Sequence, residues 1–303
     1  MSALILHHYP MSPFSEKIRL MLGYSGLSWQ SVSVRELPPR PELAEMVGGY
    51  RKIPVAQIGA DLFCDTRIIA TEIARLSGKP ELALENNDEA VQAFVRVVDL
   101  EVFLACLVSA SGSKMLGKLI KSTSLLEAMR FLKDRINMGR NARVKALGPK
   151  QAKERVQEHL VSLEQMLKQD FLFGDSPNNA DFAAFHSLWF VCDLAEKPVT
   201  LAFPKVHQWM DRMRAFGHGN QTPISSDDAL DIARENEPRP VSRTAEKLMD
   251  QSVSIAPNDY GRTPVTGLLV GGDEQRRVIN RDTERCGAVH VHLPRQGFSI
   301  REH

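Results

Sequence analysis

Residues Tyr50–Leu76 read YRKIPVAQIGADLFCDTRIIATEIARL. Two short runs, Pro54–Gly59 and Asp61–Cys64, flank a turn at Gly59, which is the pattern of a β-hairpin. Helical spacing follows at once over Asp65–Ser77, through Ile68, Ile69, Ile73 and Leu76. The chain before this stretch completes a small α/β unit. Ser2–His7 is an apolar run suited to a buried strand. Pro13–Tyr24 carries Phe14, Ile18, Met21 and Leu22 at helical spacing. Trp29–Val34 alternates as a strand does, and Pro38–Met46 is a turn that becomes a helix. The predicted order is β-α-β-α-β-β-α.

Beyond Asn86 the pattern turns helical, over Ala90–Ser109, Ser124–Asn137, Lys150–Lys168, Asp181–Leu194 and Pro204–Phe216. Asp181–Leu194 is almost wholly apolar and should be the central helix of a bundle. GHGNQTPIS, from Gly217, is a linker by composition, and Ser226–Arg234 suits a short helix. After Asp250 the runs VSIA, PVTGLLV, RVIN, AVHVHL and FSI are separated by PNDYG, GGDEQ, RDTERCG and PRQG. Turn signals at that density predict a small β module of about four or five strands. The expected division is an α/β unit over 1–82, a helical domain over 86–218, a linker with short helices over 219–250 and a β-rich module over 251–303.

Bulk properties exclude several classes. With 303 residues, 43% hydrophobic and 25% charged, the chain has an ordinary globular composition. A formal net charge of +1 gives no global pull toward nucleic acid or an anionic membrane. The tail after Ser252 has seven Arg, no Lys and six acids, a balance that carries no nucleic-acid signal. No apolar run reaches the roughly 18–20 residues of a membrane span. The first ten residues lack a basic stretch before a short apolar run, so no signal peptide is expected. The four cysteines are scattered without a Cys-x-x-Cys pair, which suits a reducing compartment. The expected location is the cytoplasm.

Three stretches together resemble the glutathione S-transferase family. Tyr9–Leu22 (YPMSPFSEKIRLML) is similar to the family's strand-loop-helix start. Tyr50–Leu76 is similar to its proline loop, hairpin and glutathione-anchoring helix. Phe171–Val191 (FLFGDSPNNADFAAFHSLWFV) is similar to its buried helix with a capping Asp. The resemblance implies a thioredoxin-like α/β domain followed by an all-helical bundle, with glutathione as co-substrate and no metal. It also implies a homodimer. It covers about residues 1–218 and leaves the last 85 residues unmatched.

Glutathione chemistry needs its charged ends anchored, its peptide-like centre paired, and its thiol ionised. A free thiol titrates near roughly 8.5, so a hydroxyl at a positive helix terminus would help form thiolate. Ser12, before Pro13 at a predicted helix start, fits that place and resembles the family's serine-type active-site residue. The family's Cys-Pro-Phe variant performs disulfide chemistry, and its cysteine is absent here. Ser12 is equally suited to plain N-capping, and the two roles are compatible. Ser15, one turn later, would support the loop. Position in the family disfavours Tyr9 as the donor and points instead to His8, which is either a proton carrier or a packing residue.

Ile53–Pro54 resembles the family's cis-proline loop, where the backbone of Ile53 would pair with the cysteinyl unit. Lys52 and Arg51 lie near enough to meet a carboxylate. Asp65–Thr66 opens the next helix, where Thr66 and the first amides could hold the γ-glutamyl carboxylate and Asp65 the ammonium. The family usually has Glu-Ser there. A plain Asp/Thr cap is the alternative. Met11, Phe14, Phe103, Leu107 and Met115 are candidates for the second-substrate pocket, if they are not simply core. Asn178-x-x-Asp181 is a capping box, so Asp181 is a folding device. His290 and His292 share one strand face and could bind metal, but no third ligand is evident.

These features predict a glutathione transferase acting on a small hydrophobic electrophile, with isomerase or peroxidase chemistry of the same logic open. The alternative is a non-catalytic protein of this fold that uses its β module for interactions.

Overall fold

The computed structural model describes residues 3–140 and 147–303, with the side chains of all these except 138–140. Ser2, expected to open the first strand, lies outside the described residues. The first elements are β1 (Leu4–His8), α1 (Pro13–Ser25), β2 (Trp29–Ser33), α2 (Pro41–Val47), β3 (Val55–Ile58), β4 (Asp61–Cys64) and α3 (Thr66–Ser77). β1 runs parallel to β2 and antiparallel to β3, and β3 and β4 form the expected hairpin around Gly59, whose φ is 60°. A left-handed residue at a tight turn favours glycine.

The helical region comprises α4 (Glu89–Val97), α5 (Phe103–Ala110), α6 (Ser113–Ser122), α7 (Leu125–Arg140), α8 (Pro149–Met166), α9 (Asn179–Trp189) and α10 (Pro204–Ala215). Three departures from the sequence pattern appear. The helix expected over Asp181–Leu194 ends at Trp189 and gives way to a π-helical segment over Phe190–Leu194. Ala90–Ser109 reads as one helix, but a π-helical turn at Val98–Val102 separates α4 from α5. Helix α6 has no counterpart among the predicted elements. α9 is the core helix expected. Asp181 holds its start, accepting from Leu172 N (3.0 Å), Asn178 N (3.0 Å) and Trp209 Nε1 (2.9 Å). Burial raises this carboxyl to about 6 against those three bonds.

The last part holds β5 (Gln221–Pro223), α11 (Ser226–Arg234), β6 (Ser252–Pro257), β7 (Val265–Gly272), β8 (Arg276–Thr283), β9 (Gly287–Pro294) and β10 (Phe298–Glu302). Its strands do not form a sheet of their own. The ten strands among the described residues make one sheet in the order β10-β6-β7-β8-β9-β4-β3-β1-β2-β5. β9 lies parallel to β4, pairing Asp61 with His290 and Phe63 with His292. The segment read as a linker contributes β5, which pairs with β2 on the opposite edge. Gly23 permits that return: a Cβ there would lie 2.1 Å from the Gly217 carbonyl oxygen.

Burial explains the join. One apolar core combines Leu43, Met46, Leu62 and Cys64 of the first unit with Ile255, Val265, Val291 and Leu293 of the tail. The two sets pack their buried side chains against one another. A second core fills the space between β1, α1, α3 and the helical bundle.

Candidate functional site

The loop after β1 delivers Ser12 as the N-cap of α1. Pro13 opens the helix, and Ser12 Oγ accepts from Ser15 N at 3.2 Å. Ser12 is 3% exposed, and no residue described here accepts its hydroxyl proton. That proton is therefore available to an anion at the helix terminus. Ser15 is fully buried, with its hydroxyl unpartnered.

His8 is not placed to carry protons. Its Nε2 lies 2.8 Å from Ser31 Oγ and its Nδ1 3.0 Å from Arg19 Nη1. Because the guanidinium can only donate, Nδ1 accepts and Nε2–H donates to Ser31. Burial, then the Arg19 charge, lowers this imidazole to about 3. His8 stays neutral and belongs to a structural network running through Arg19 and Glu16 to His218. Tyr9 faces the cleft but presents its carbonyl to Ser12 N at 3.2 Å.

The opposite wall comes from the hairpin. The Ile53–Pro54 bond is cis. Asp65, at φ 81° and ψ 138°, occupies backbone space that non-glycine residues avoid. Such strain persists only where the surroundings impose it, and it clusters at functional sites. Asp65 Oδ1 caps α3 by accepting from Arg67 N at 3.1 Å, and Thr66 is the first helical residue.

Ser12, Lys52, Ile53, Pro54, Asp65 and Thr66 all line one cleft of about 950 Å³ between the α/β unit and the helices. Met11, Phe14, Phe103, Leu107 and Met115 line it too, forming its apolar end. Phe14 sits 4.7 Å, centroid to centroid, from both Phe103 and His186. Lys17 reaches from α1 to Asp99 of the π turn at 2.7 Å, which fixes the two halves of the cleft together. Burial holds His186 behind them near 4, hence neutral.

Sequence reasoning missed the tail's share of this wall. Asp259, Tyr260, Gln296 and Gly297 line the same cleft. They lie in PNDYG and PRQG, the very segments that read as turns between strands. Lys52 Nζ pairs with Asp259 Oδ1 at 2.8 Å, and Arg67 pairs with Gln296 and Glu85. The only signal available was their loop character, since loops on a rigid scaffold carry function disproportionately.

His292 has a structural partner: its Nε2 bonds Asp61 at 2.7 Å and its ring stacks on Phe63. Among the described residues, no group of three His, Cys, Asp or Glu side chains is arranged to hold a metal ion.

The chain matches the model of the glutathione S-transferase N-terminal domain over residues 6–81 and that of the C-terminal domain over 121–215. A solved GST-like protein from Pseudomonas syringae is 31% identical over 100% of both chains, with a TM-score of 0.80. The chain belongs to the glutathione S-transferase family. Its residues 216–303 lie beyond both family models, yet the Pseudomonas protein spans them as well. FzlA from C. crescentus is 23% identical over 70% of this chain and 88% of its own, with a TM-score of 0.50. Glutathione S-transferase I, solved with lactoylglutathione, is 18% identical over 70% of this chain and 94% of its own, with a TM-score of 0.51. These two show the shared fold. Among curated proteins, none matches the chain.

Proposed function

We propose that this family member binds glutathione in the cleft and conjugates its thiolate to a small hydrophobic electrophile. One observation carries the reading: Ser12, Ile53–Pro54 and Asp65–Thr66 converge on a single cleft whose other end is apolar. Residues 1–82 supply the glutathione half, and 86–218, together with Met11 and Phe14, the electrophile half. Ser12 Oγ–H, at the positive end of α1, stabilises thiolate. Ile53 pairs its backbone with the cysteinyl unit. The first turn of α3, with Thr66, takes the γ-glutamyl carboxylate, and Asp65 takes the ammonium. Phe14, Phe103, Leu107, Met11 and Met115 hold the electrophile beside the sulfur, so that catalysis is largely positioning.

The same proposal places the protein in the cytoplasm as a homodimer. No helix among the described residues is long and apolar enough to cross a membrane. The test is calorimetry with glutathione, followed by conjugation assays over a panel of electrophiles. Binding together with turnover supports the reading, and absence of binding at millimolar glutathione removes it.

A binding role without chemistry is the second reading. It is favoured by one observation: Asp65 Oδ1, assigned above to the ammonium, is engaged in capping its own helix. Glutathione binding without turnover of any electrophile would select it.

A further inference from the structure

The cations beside the Ile53–Pro54 bond already have partners within the chain. Lys52 Nζ lies 2.8 and 2.9 Å from the two Asp259 carboxylate oxygens and 4.3 Å from the Tyr260 ring centroid. Arg51 Nη2 lies 2.7 and 2.8 Å from the oxygens of Asp134. The Arg40 guanidinium donates to the carbonyls of Arg35, Arg51 and Glu36 at 2.7, 2.9 and 2.8 Å. A ligand carboxylate reaching Lys52 would have to displace Asp259 or share its ammonium. The Lys52 side chain is 14% exposed and that of Asp259 is 31% exposed. Solvent and salt therefore screen the repulsion between two carboxylates there only in part.

Tyr260 adds the complementary feature. It lines the cleft, and no residue described here bonds its hydroxyl. Burial, reinforced by the Asp259 and Asp65 charges, raises the phenol and keeps it protonated. A neutral donor beside a neutralised lysine suits an uncharged carbonyl better than an anion.

We propose that Asp259 stands in place of the ligand's terminal carboxylate, so that the site takes a glutathione-type thiol whose glycyl carboxylate is masked as an amide or ester. Tyr260 Oη–H donates to the masked carbonyl. The inference rests on the glutathione reading above, and it gives the C-terminal extension a part in ligand choice.

The test is calorimetry on the full chain with glutathione, its glycyl ethyl ester and its glycyl amide. The wild type binds the ester and amide at least as tightly as the free acid. Asp259→Asn releases Lys52 and shifts the preference toward the free acid about tenfold. Adding Lys52→Gln to that variant abolishes the shift. Lys52→Gln alone leaves the Asp259 carboxylate uncompensated and shifts the preference further toward the ester and amide. A wild type that prefers the free acid tenfold, or an Asp259→Asn variant whose preference stays at the wild-type value, overturns the proposal while leaving glutathione binding intact. Failure of all three thiols to bind overturns the glutathione reading, and this proposal falls with it.

Discussion

His292 Nε2 donates to Asp61 at 2.7 Å, joining β9 of the C-terminal extension to β4 of the α/β unit inside the sheet. Both side chains are almost wholly buried. Burial depresses the imidazole despite the attraction of Asp61. His292 Nδ1 is buried without a partner, which a neutral ring tolerates as a lone pair and an imidazolium would not. Asp61 is the ionised member. Burial works against it, but the His292 bond and Arg239 hold its carboxyl below the ordinary range. Arg239 bonds Asp61 through both its backbone N (3.0 Å) and its Nε (3.2 Å). Removing the carboxylate leaves the buried His292 Nε2–H without its acceptor, while Arg239 keeps Glu72. Asp61→Ala should therefore destabilise the protein by about 1–3 kcal/mol, read as a lower urea midpoint.

The same seam sets the acid limit. Glu72 of α3 is buried and meets Arg276 at 2.8 Å, Arg75 at 3.0 Å and Arg239 at 3.3 Å. Burial alone would raise its pKa, but the three guanidiniums outweigh that, and the net direction is down. A depressed carboxyl contributes stability above its unfolded pKa of about 4.3 and loses it as pH falls through the folded value. Stability should therefore drop as the pH is lowered below about 4.3. Glu72→Gln should be less stable than wild type at pH 7 and show a shallower decline on acidification. Parallel slopes for the two proteins would remove Glu72 from the account.

Two substitutions separate the roles of Ser12. Asn caps a helix about as well as Ser but brings no hydroxyl. Ser12→Asn should fold with nearly wild-type stability and lose conjugation by about 10²–10³-fold. Ser12→Ala should lose the same activity and about 1 kcal/mol of stability in addition. Full activity in Ser12→Asn would leave the residue as a cap alone.

His8 should be silent in the pH dependence of activity. With its imidazole near 3 it stays neutral through the assay range. His8→Gln should preserve the shape of the pH–rate profile between pH 5 and about 9. A limb near pH 6 that vanishes in the variant would restore His8 as a proton carrier.

Ending the chain at His218 should prevent independent folding. The cut strips Ile255, Val265 and Leu293 from the core they share with Leu43, Met46 and Leu62, and it opens the β4 edge. An exposed apolar face beside an unpaired strand edge promotes aggregation. The expected product is insoluble or binds a hydrophobic dye. A soluble, cooperatively unfolding fragment would show that the extension is dispensable.

The local elements were legible because their causes are local. The hairpin, α1, α3 and α9 announce themselves through periodicity, Gly59, Pro13 and the Asn178–Asp181 box. Locally, Ser12 and Asp65–Thr66 read as caps and Pro54 as the start of a strand, and only the resemblance to the family gives them roles toward glutathione. α6 and the π turn at Val98–Val102 left no such mark. The π turn keeps the chain helical, so no breaker residue marks it, and Asp99 acquires its meaning from Lys17, 82 positions away.

By itself, the sequence determined the β-α-β-α-β-β-α order of the first unit, the capping of its helices and a C-terminal stretch rich in strands, since propensity and turn chemistry act over a few residues. Only the tertiary structure decided that those strands extend the first sheet, and that Asp259 and Tyr260 stand in the cleft against Lys52. The reason is burial. The apolar faces of α2, β4 and the C-terminal strands cannot be covered separately, and satisfying them together carries two ordinary turns into the binding site.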